Sequence, residues 1–568
     1  MLPDSAAPPD AGSDGVPQET GTIELPRTDA DPRLTRKLLA GAVTLVGDRE
    51  TACTIPPAID APPAWERWCA FARKADGDAD RTELWVVNVS KAAAGGAVAC
   101  DGTSAGCLRL TVDLWTSFQI WGPAHPSSHH FEGETLIFYA GPTPGARDPY
   151  EGAVWGWRPG WPSAQKLTSD KGALCGAQPP STTVWCLADV TVERDSGDPF
   201  AIPIFREFDL LAGSLSAPGS APLAKVARLG HAIPGFDWRV RLSGDGAYLA
   251  YSTAPMKGGP EALQMIKTAD IGKVLPTTIA ADVAQWDLSR DGERLYSIAG
   301  YDRGLGKDAT GTLVAVDFPS GARVTELKRS VAGYELIGPH GQPASHAARA
   351  LLVQYDDGDA SVGAAGGGRR VALMPDTRVP TDTAALDVQG RSFQVSTDLR
   401  HTMYLKPMPR NPVLMVSRND GSGGCQLTSD NNAESYNERF TDNGRLVTWV
   451  EFGRNQSVSE EGWYGRPDNC GGKTKFGDYV LGYQLVADDF VVFQGGDFDD
   501  STSWLQYASL RENAAGAAVL PAVIKQNPDI TFSAFKDAGA AAWVVFSLSG
   551  GDASENGLYI HGPLAAPP

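Results

Sequence analysis

The chain has 568 residues, too many for one conventional hydrophobic core, which stops growing near roughly 250–300 residues. With 42% hydrophobic and 21% charged residues it is globular in composition, and no window approaches the ~18 uninterrupted apolar residues of a membrane-spanning helix. Lysine and arginine number 49 against 68 aspartates and glutamates, and the net charge of −19 argues against nucleic acid or anionic lipid as a partner.

Residues 1–35 begin "MLPDSAAPPDAGSDGVPQETG", a Pro/Ala/Gly/Asp-rich run that cannot bury enough apolar surface to fold, so a disordered tail is expected. It has neither a basic n-region nor an apolar h-region and does not read as a signal peptide. It resembles the tether that follows the lipidated cysteine of bacterial lipoproteins, which implies a lipid anchor through residues upstream. Residues 36–568 are expected to form the folded part, opening on "RKLLAGAVTLVGD" (36–48), a spare strand.

Eight cysteines follow, at 53, 69, 100, 107, 175, 186, 425 and 470. An even count of close neighbours without a C-x-x-C pair reads as disulfides, not as zinc or a redox motif. Local pairing gives Cys53–Cys69, Cys100–Cys107, Cys175–Cys186 and Cys425–Cys470, although spacing alone does not fix connectivity. Disulfides imply an oxidising compartment, so the expected location is extracytoplasmic: periplasmic, secreted or attached to the outer membrane.

Between the cysteines the chain repeats itself. "WRVRLSGDGAYLAYS" (238–252) and "AQWDLSRDGERLYSI" (284–298) each read as strand, Asp-Gly turn, strand, with Ser243 and Ser289 46 positions apart. Looser copies are "SFQVSTDLRHTMYL" (392–405) and "YNERFTDNGRLVTWVEF" (436–452). Each hairpin leads to a further strand and then to one ending near Leu-Thr, as in "ELWVVNV" and "CLRLT", "AVWGW" and "AQKLTSD", "VLMVS" and "CQLTSD". The unit is four strands in about 45–65 residues, with no convincing helical period.

Second strands such as "TLIFYAG" and "AAWVVFSLS" are apolar at consecutive positions, as expected of a small sheet covered on both faces. The fold class predicted is all-β: a β-propeller of about eight to ten four-stranded blades in one closed ring. The last unit has three strands of its own, and the N-terminal strand is expected to complete it.

The S-x-D-G-x-x-L-x-Y hairpin, the "ELWVVNV" strand and the "LTSD" endings resemble the repeats of TolB-type β-propellers. The resemblance covers most of 38–565 as architecture. It implies an envelope-associated propeller and leaves function open, because that fold hosts scaffolds, peptidase gates and lyases.

Few stretches carry chemistry. "GTSAG" (102–106) matches G-x-S-x-G at Ser104, but it lies between two cysteines and before a strand, not on a strand–turn–helix elbow. "PAHPSSHH" places His125, His129 and His130 in a loop, a candidate metal site. "DGDAD" spaces Asp76, Asp78 and Asp80 like a calcium loop, although the twelfth position of that count is Val87 instead of glutamate. Structural calcium is the only cofactor these stretches suggest.

Trp155, Trp157 and Trp161 of "VWGWRPGW", with Trp463 and Tyr464 of "EGWYGRPDNC", are candidate ligand contacts or core packing. The function expected is a protein-interaction or ligand-binding scaffold engaging another envelope or cell-surface protein, or a glycan. The alternatives are a polysaccharide lyase or other glycan-acting enzyme using the funnel, and a glycan-binding lectin.

Overall fold

The structure is a computed structural model. It describes residues 28–565 apart from segments 45–65, 115–128, 142–151, 178–180, 194–203, 233–239, 254–260, 289–293, 301–309, 318–323, 338–349, 357–368, 376–384, 387–390, 407–411, 429–434, 453–459, 498–501, 511–520, 527–529 and 538–540, and gaps of one or two residues. Nearly all described secondary structure is strand, and the single α-helix is the short Val89–Ala93.

The described strands form eight sheets. Seven are single four-strand units, two of which carry one additional short strand. The eighth has ten strands and resolves into three units, because Thr277–Leu288 and Val324–Ile337 each end one unit and begin the next. Thus Leu263 pairs with Ala280 in one unit while Val283 pairs with Ala299 in the next. We call the ten units blades 1 to 10: residues 43–111, 129–166, 172–232, 240–280, 283–328, 331–386, 391–426, 435–477, 480–526 and 530–561.

The fold is a β-propeller, and its closure is explicit. Thr35–Ala40 pairs antiparallel with Gly557–His561, so an N-terminal strand becomes the outermost strand of blade 10. Gly41, at φ 90°, turns the chain, and Val43–Thr44 then starts blade 1 as its innermost strand. The spare strand expected over 36–48 is therefore two strands serving two neighbouring blades. The Thr35 hydroxyl sits 2.8 Å from Nδ1 of the buried His561, adding a polar tie to the seam.

Within the stretch expected to be disordered, residues 28–35 are folded. Thr28–Asp29 adds in parallel to Ala522–Gln526 at the edge of blade 9, and the Ala30 amide donates to the Val523 carbonyl. An exposed sheet edge offers unpaired amides and carbonyls that any extended segment can satisfy.

Blades are thin, so the core lies between them. Thr135–Ala140 and Ala542–Leu548 are buried at every position, because neighbours cover both faces. One shared cluster joins blades 1, 2 and 3 through Trp68, Phe138, Trp157 and Val184. Another joins blade 10 to blade 1 through Phe535, Trp543 and Ile560 against Phe71, Trp85 and Val87.

The buried Glu83 carboxylate is compensated. Glu83 of blade 1 accepts from Arg73 at 2.8 Å, from the Trp85 indole at 2.9 Å and from Arg109 at 2.8 Å. Burial alone would raise its pKa, and these three donors outweigh it, holding the carboxyl below its usual range.

Candidate functional site

In a propeller, ligand sites concentrate at the axis and its two mouths, where the innermost strands and the turns between strands meet. The turns explain the repeated hairpin. Ser243 Oγ accepts from the Tyr248 amide at 3.0 Å, Ser396 Oγ from His401 at 3.0 Å, and Thr441 Oγ1 from Leu446 at 3.1 Å. Each hydroxyl therefore closes its hairpin across five residues. Gly246 and Gly444 adopt φ 68° and 70°, the left-handed region the turn requires. A Cβ on Gly246 would lie 1.8 Å from Ser181 Oγ of blade 3, so this glycine also permits close approach between blades.

The innermost strands carry polar side chains that reach from one blade to the next. Gln285 Nε2 donates to the Tyr334 carbonyl at 2.7 Å, and Gln394 Nε2 to the Glu438 carbonyl at 2.7 Å. Gln484 accepts from the Ala534 amide at 2.8 Å through Oε1. Arg241 of blade 4 donates to Asp287 of blade 5 at 2.9 Å, an ion pair spanning 46 residues. These side chains make an inner belt that fixes blade against blade.

The other inner-edge feature is in blade 2. His129–Glu132 is its first strand, in which His129 and Phe131 are buried while His130 and Glu132 point to the opposite face. His130 Nε2 lies 3.9 Å from Glu132 Oε1. Burial pushes both imidazoles down to about 4 and the Glu132 carboxyl up to about 7. The Glu132 side chain keeps 39% of its surface, so it stays in exchange with solvent. A partly exposed carboxyl whose pKa is raised by its surroundings is a candidate to donate or accept a proton.

The structure corrects several sequence expectations. His129 and His130 lie in a strand instead of a loop, and their alternation sends them to opposite faces, so they do not share a metal. His125 lies outside the described residues. Asp78 and Asp80 belong to the Asp78–Asn88 strand, whose Asp78 pairs with Ala75 in a tight hairpin; Asp76 lies outside the described residues. Among the described residues, no three histidine, cysteine or carboxylate side chains are grouped to hold a metal.

Aromatic ligand contacts are likewise revised. Trp157, Trp161 and Tyr464 are buried in inter-blade cores, and the Trp157 indole donates to the Trp161 carbonyl at 3.0 Å. Trp155 packs against the same core as Trp157. Trp463 is half-buried, with Lys473 Nζ 4.2 Å above its ring. Large flat side chains fill the wedge between two sheets well, which is why tryptophan is common there.

Disulfides join Cys100 to Cys107 and Cys175 to Cys186. Cys69 is disulfide-bonded, and its expected partner Cys53 lies outside the described residues. Cys425, by contrast, is a free buried thiol whose Sγ donates to the Pro467 carbonyl at 3.5 Å, so the expected bridge to Cys470 is not formed; Cys470 itself lies outside the described residues. Ser104 sits on the two-residue strand Thr103–Ser104 of the disulfide-closed hairpin, where its hydroxyl caps the Cys107 amide at 3.2 Å, a turn role and not that of a nucleophile.

Sequence reasoning passed over Glu132 and the inner belt. A signal was present for Arg241 and Asp287, whose 46-residue spacing equals that of Ser243 and Ser289. Each stands two residues before its turn serine, so aligning the repeats would have placed them at equivalent points of adjacent blades.

No family model matches the chain, and neither does any curated protein. Among solved structures it is similar to a eukaryotic initiation factor, at 10% identity and TM-score 0.44 over 80% of this chain and 97% of that one. It is also similar to the β-propeller domain of the Trilobed protease from Pyrococcus furiosus, at 12% identity and TM-score 0.30 over 60% and 93%. TolB from Acinetobacter baumannii is a third, at 10% identity and TM-score 0.23 over 60% and 82%.

Proposed function

We propose that this chain is an extracytoplasmic scaffold of TolB type, a rigid ring whose turns and axis present a binding surface to another envelope or cell-surface protein. The observation that carries this reading is the inner belt. Gln285, Gln394, Gln484 and the Arg241–Asp287 pair each make a hydrogen bond to the neighbouring blade, fixing the ring's inner surface. A preorganised surface binds without the entropic cost of ordering itself. The Cys100–Cys107 and Cys175–Cys186 bonds fit an oxidising compartment, and the net charge of −19 favours a basic or neutral partner surface.

A second reading, a glycan-acting enzyme at the axis, is favoured by Glu132, whose carboxyl titrates near 7. One experiment separates the two. Photo-crosslinkers placed at Arg445, in the blade 8 turn, and at Lys166, on an outermost strand, are exposed to an envelope fraction of the producing cell. The scaffold reading expects one discrete adduct from the turn and none from the outer strand. It is abandoned if neither position yields an adduct and the protein instead releases ultraviolet-absorbing unsaturated products from an acidic polysaccharide, an activity abolished by Glu132→Gln.

A further inference from the structure

The seam between blades 10 and 1 holds two arginines that make no ion pair with a carboxylate among the described residues. Phe535 and Trp543 face each other across adjacent strands of blade 10 and lie in the core shared with blade 1. The Arg67 guanidinium sits 5.1 Å from the Phe535 ring centre and that of Arg36 5.8 Å from the Trp543 ring centre. Rings directly opposite across a strand pair are roughly 5 Å apart at their Cβ atoms, so the two cations lie over neighbouring rings.

Their hydrogen bonds are sparse. Arg36 donates to the Ala93 carbonyl at 3.5 Å, at the end of the Val89–Ala93 helix. Arg67 Nε is shut away from solvent with no partner among the described residues, and neither arginine makes an ion pair there. The nearby carboxylates are otherwise engaged. Glu66 accepts from Asn88 Nδ2 at 2.7 Å, while Asp537 accepts from the Ala541 amide at 2.9 Å and the Trp543 indole at 2.8 Å.

Half-buried Arg67 has no carboxylate among the described residues, although the chain has 68 acidic and 49 basic residues and half-buried cations such as Arg73 and Lys475 are paired; Arg36 beside the same core is exposed. Burial holds Arg67 down to about 10, so the fold bears a cost for keeping it charged. Stacking on aromatic rings offsets part of that cost and leaves terminal N–H groups for a ligand.

We propose that the seam between the first and last blades binds an oxyanion, a carboxylate or phosphate group held by Arg67 and Arg36. The guanidinium fork matches either group with two parallel hydrogen bonds. The site lies beside the closing strand, so an anion there would also fasten the ring. This inference stands apart from the scaffold reading and does not depend on it.

The test uses the full chain in thermal melts, titrating inorganic phosphate and, in a second arm, acetate, each against sodium chloride at matched ionic strength. Saturable stabilisation beyond that given by chloride is expected, and the arm with the lower half-saturation identifies the preferred group. Arg36→Gln should raise the half-saturating concentration about tenfold, in line with loss of one charge-assisted hydrogen bond. Arg67→Met should abolish the effect yet melt higher than the parent in chloride alone, because an unpaired buried cation has been removed. The proposal is overturned if both anions stabilise no more than chloride does. It is equally overturned if Arg67→Met melts lower in chloride while the response to anion survives, since Arg67 would then only support Phe535.

Discussion

Gln394 and Glu438 join the innermost strands of blades 7 and 8 by a 2.7 Å hydrogen bond from the Gln394 amide to the Glu438 carbonyl. The register of the two sheets is thus tied by a side chain, where apolar packing alone would let one thin sheet slide on the other. Gln394→Ala strands that carbonyl and should cost about 1–2 kcal/mol. Gln394→Glu replaces the donor with an acceptor and should cost more. Chemical denaturation of both variants checks the order, and equal stability of all three proteins contradicts the role given to the belt.

Ring closure makes its own prediction. Leu39 of the N-terminal strand is buried in the core between blades 10 and 1. Leu39→Ala should lower stability by about 2–4 kcal/mol, the usual effect of emptying a buried leucine site. Because the closing strand joins the two ends of the chain, hydrogen exchange should quicken in blades 1 and 10 before blades 4 and 5. Uniform quickening around the ring would contradict the closure.

Turn geometry is testable at Gly246. With φ at 68° and Ser181 Oγ 1.8 Å from where a Cβ would stand, Gly246→Ala meets backbone strain and a clash with blade 3 together. A loss of about 2–3 kcal/mol is expected. Gly246→Ala paired with Ser181→Gly should recover the part due to the clash and leave the part due to φ.

Protonation acts in two directions at blade 2. The folded pKa of Glu132 lies at about 7, above its unfolded value near ~4.3, so its charge disfavours the fold at high pH and protonation relieves this. Glu132→Gln should therefore melt above the parent at pH 8, with the difference shrinking as pH falls from about 7 towards about 4. His129 and His130, held down at about 4, act oppositely. Unfolded histidines take up protons below ~6.5 and folded ones do not, so stability is lost as pH falls from there to about 4. His130→Asn should flatten that acid limb. A melting profile of His130→Asn parallel to that of the parent between pH 4 and 7 contradicts the assignment.

Cys425 is a free thiol that is buried. Alkylation should leave it untouched in the native protein and reach it only on unfolding. Rapid native labelling at this position, located by mass spectrometry, contradicts its placement between blades 7 and 8.

How far the chain could be read in advance depends on the range of the interaction. Strand, turn and repeat were legible, because the Asp-Gly and Asn-Gly turns and the apolar runs act over a few residues. "DITFSAFKDAGAAAWVVFSLSGGDASENGLYIHGPL" announced three strands in need of a fourth, and 36–48 offered it. The split of that segment at Gly41 was not legible, since it depends on two neighbouring sheets competing for one run of backbone.

The candidate site was harder. His129 and His130 look equivalent in a row of residues, and only strand pleating sends them to opposite sides. Trp157 could face a ligand or a neighbour until blade 1 delivers Trp68 to within 5.3 Å of its ring centre. By itself the sequence determined that this protein is a ring of small sheets, because hairpin turns and apolar runs are local properties of the chain. The tertiary structure alone decided which polar groups meet: Gln394 with Glu438, and Arg241 with Asp287. Those partners come from neighbouring blades, 44 and 46 residues apart in the chain, and electrostatics and desolvation depend on distance in space.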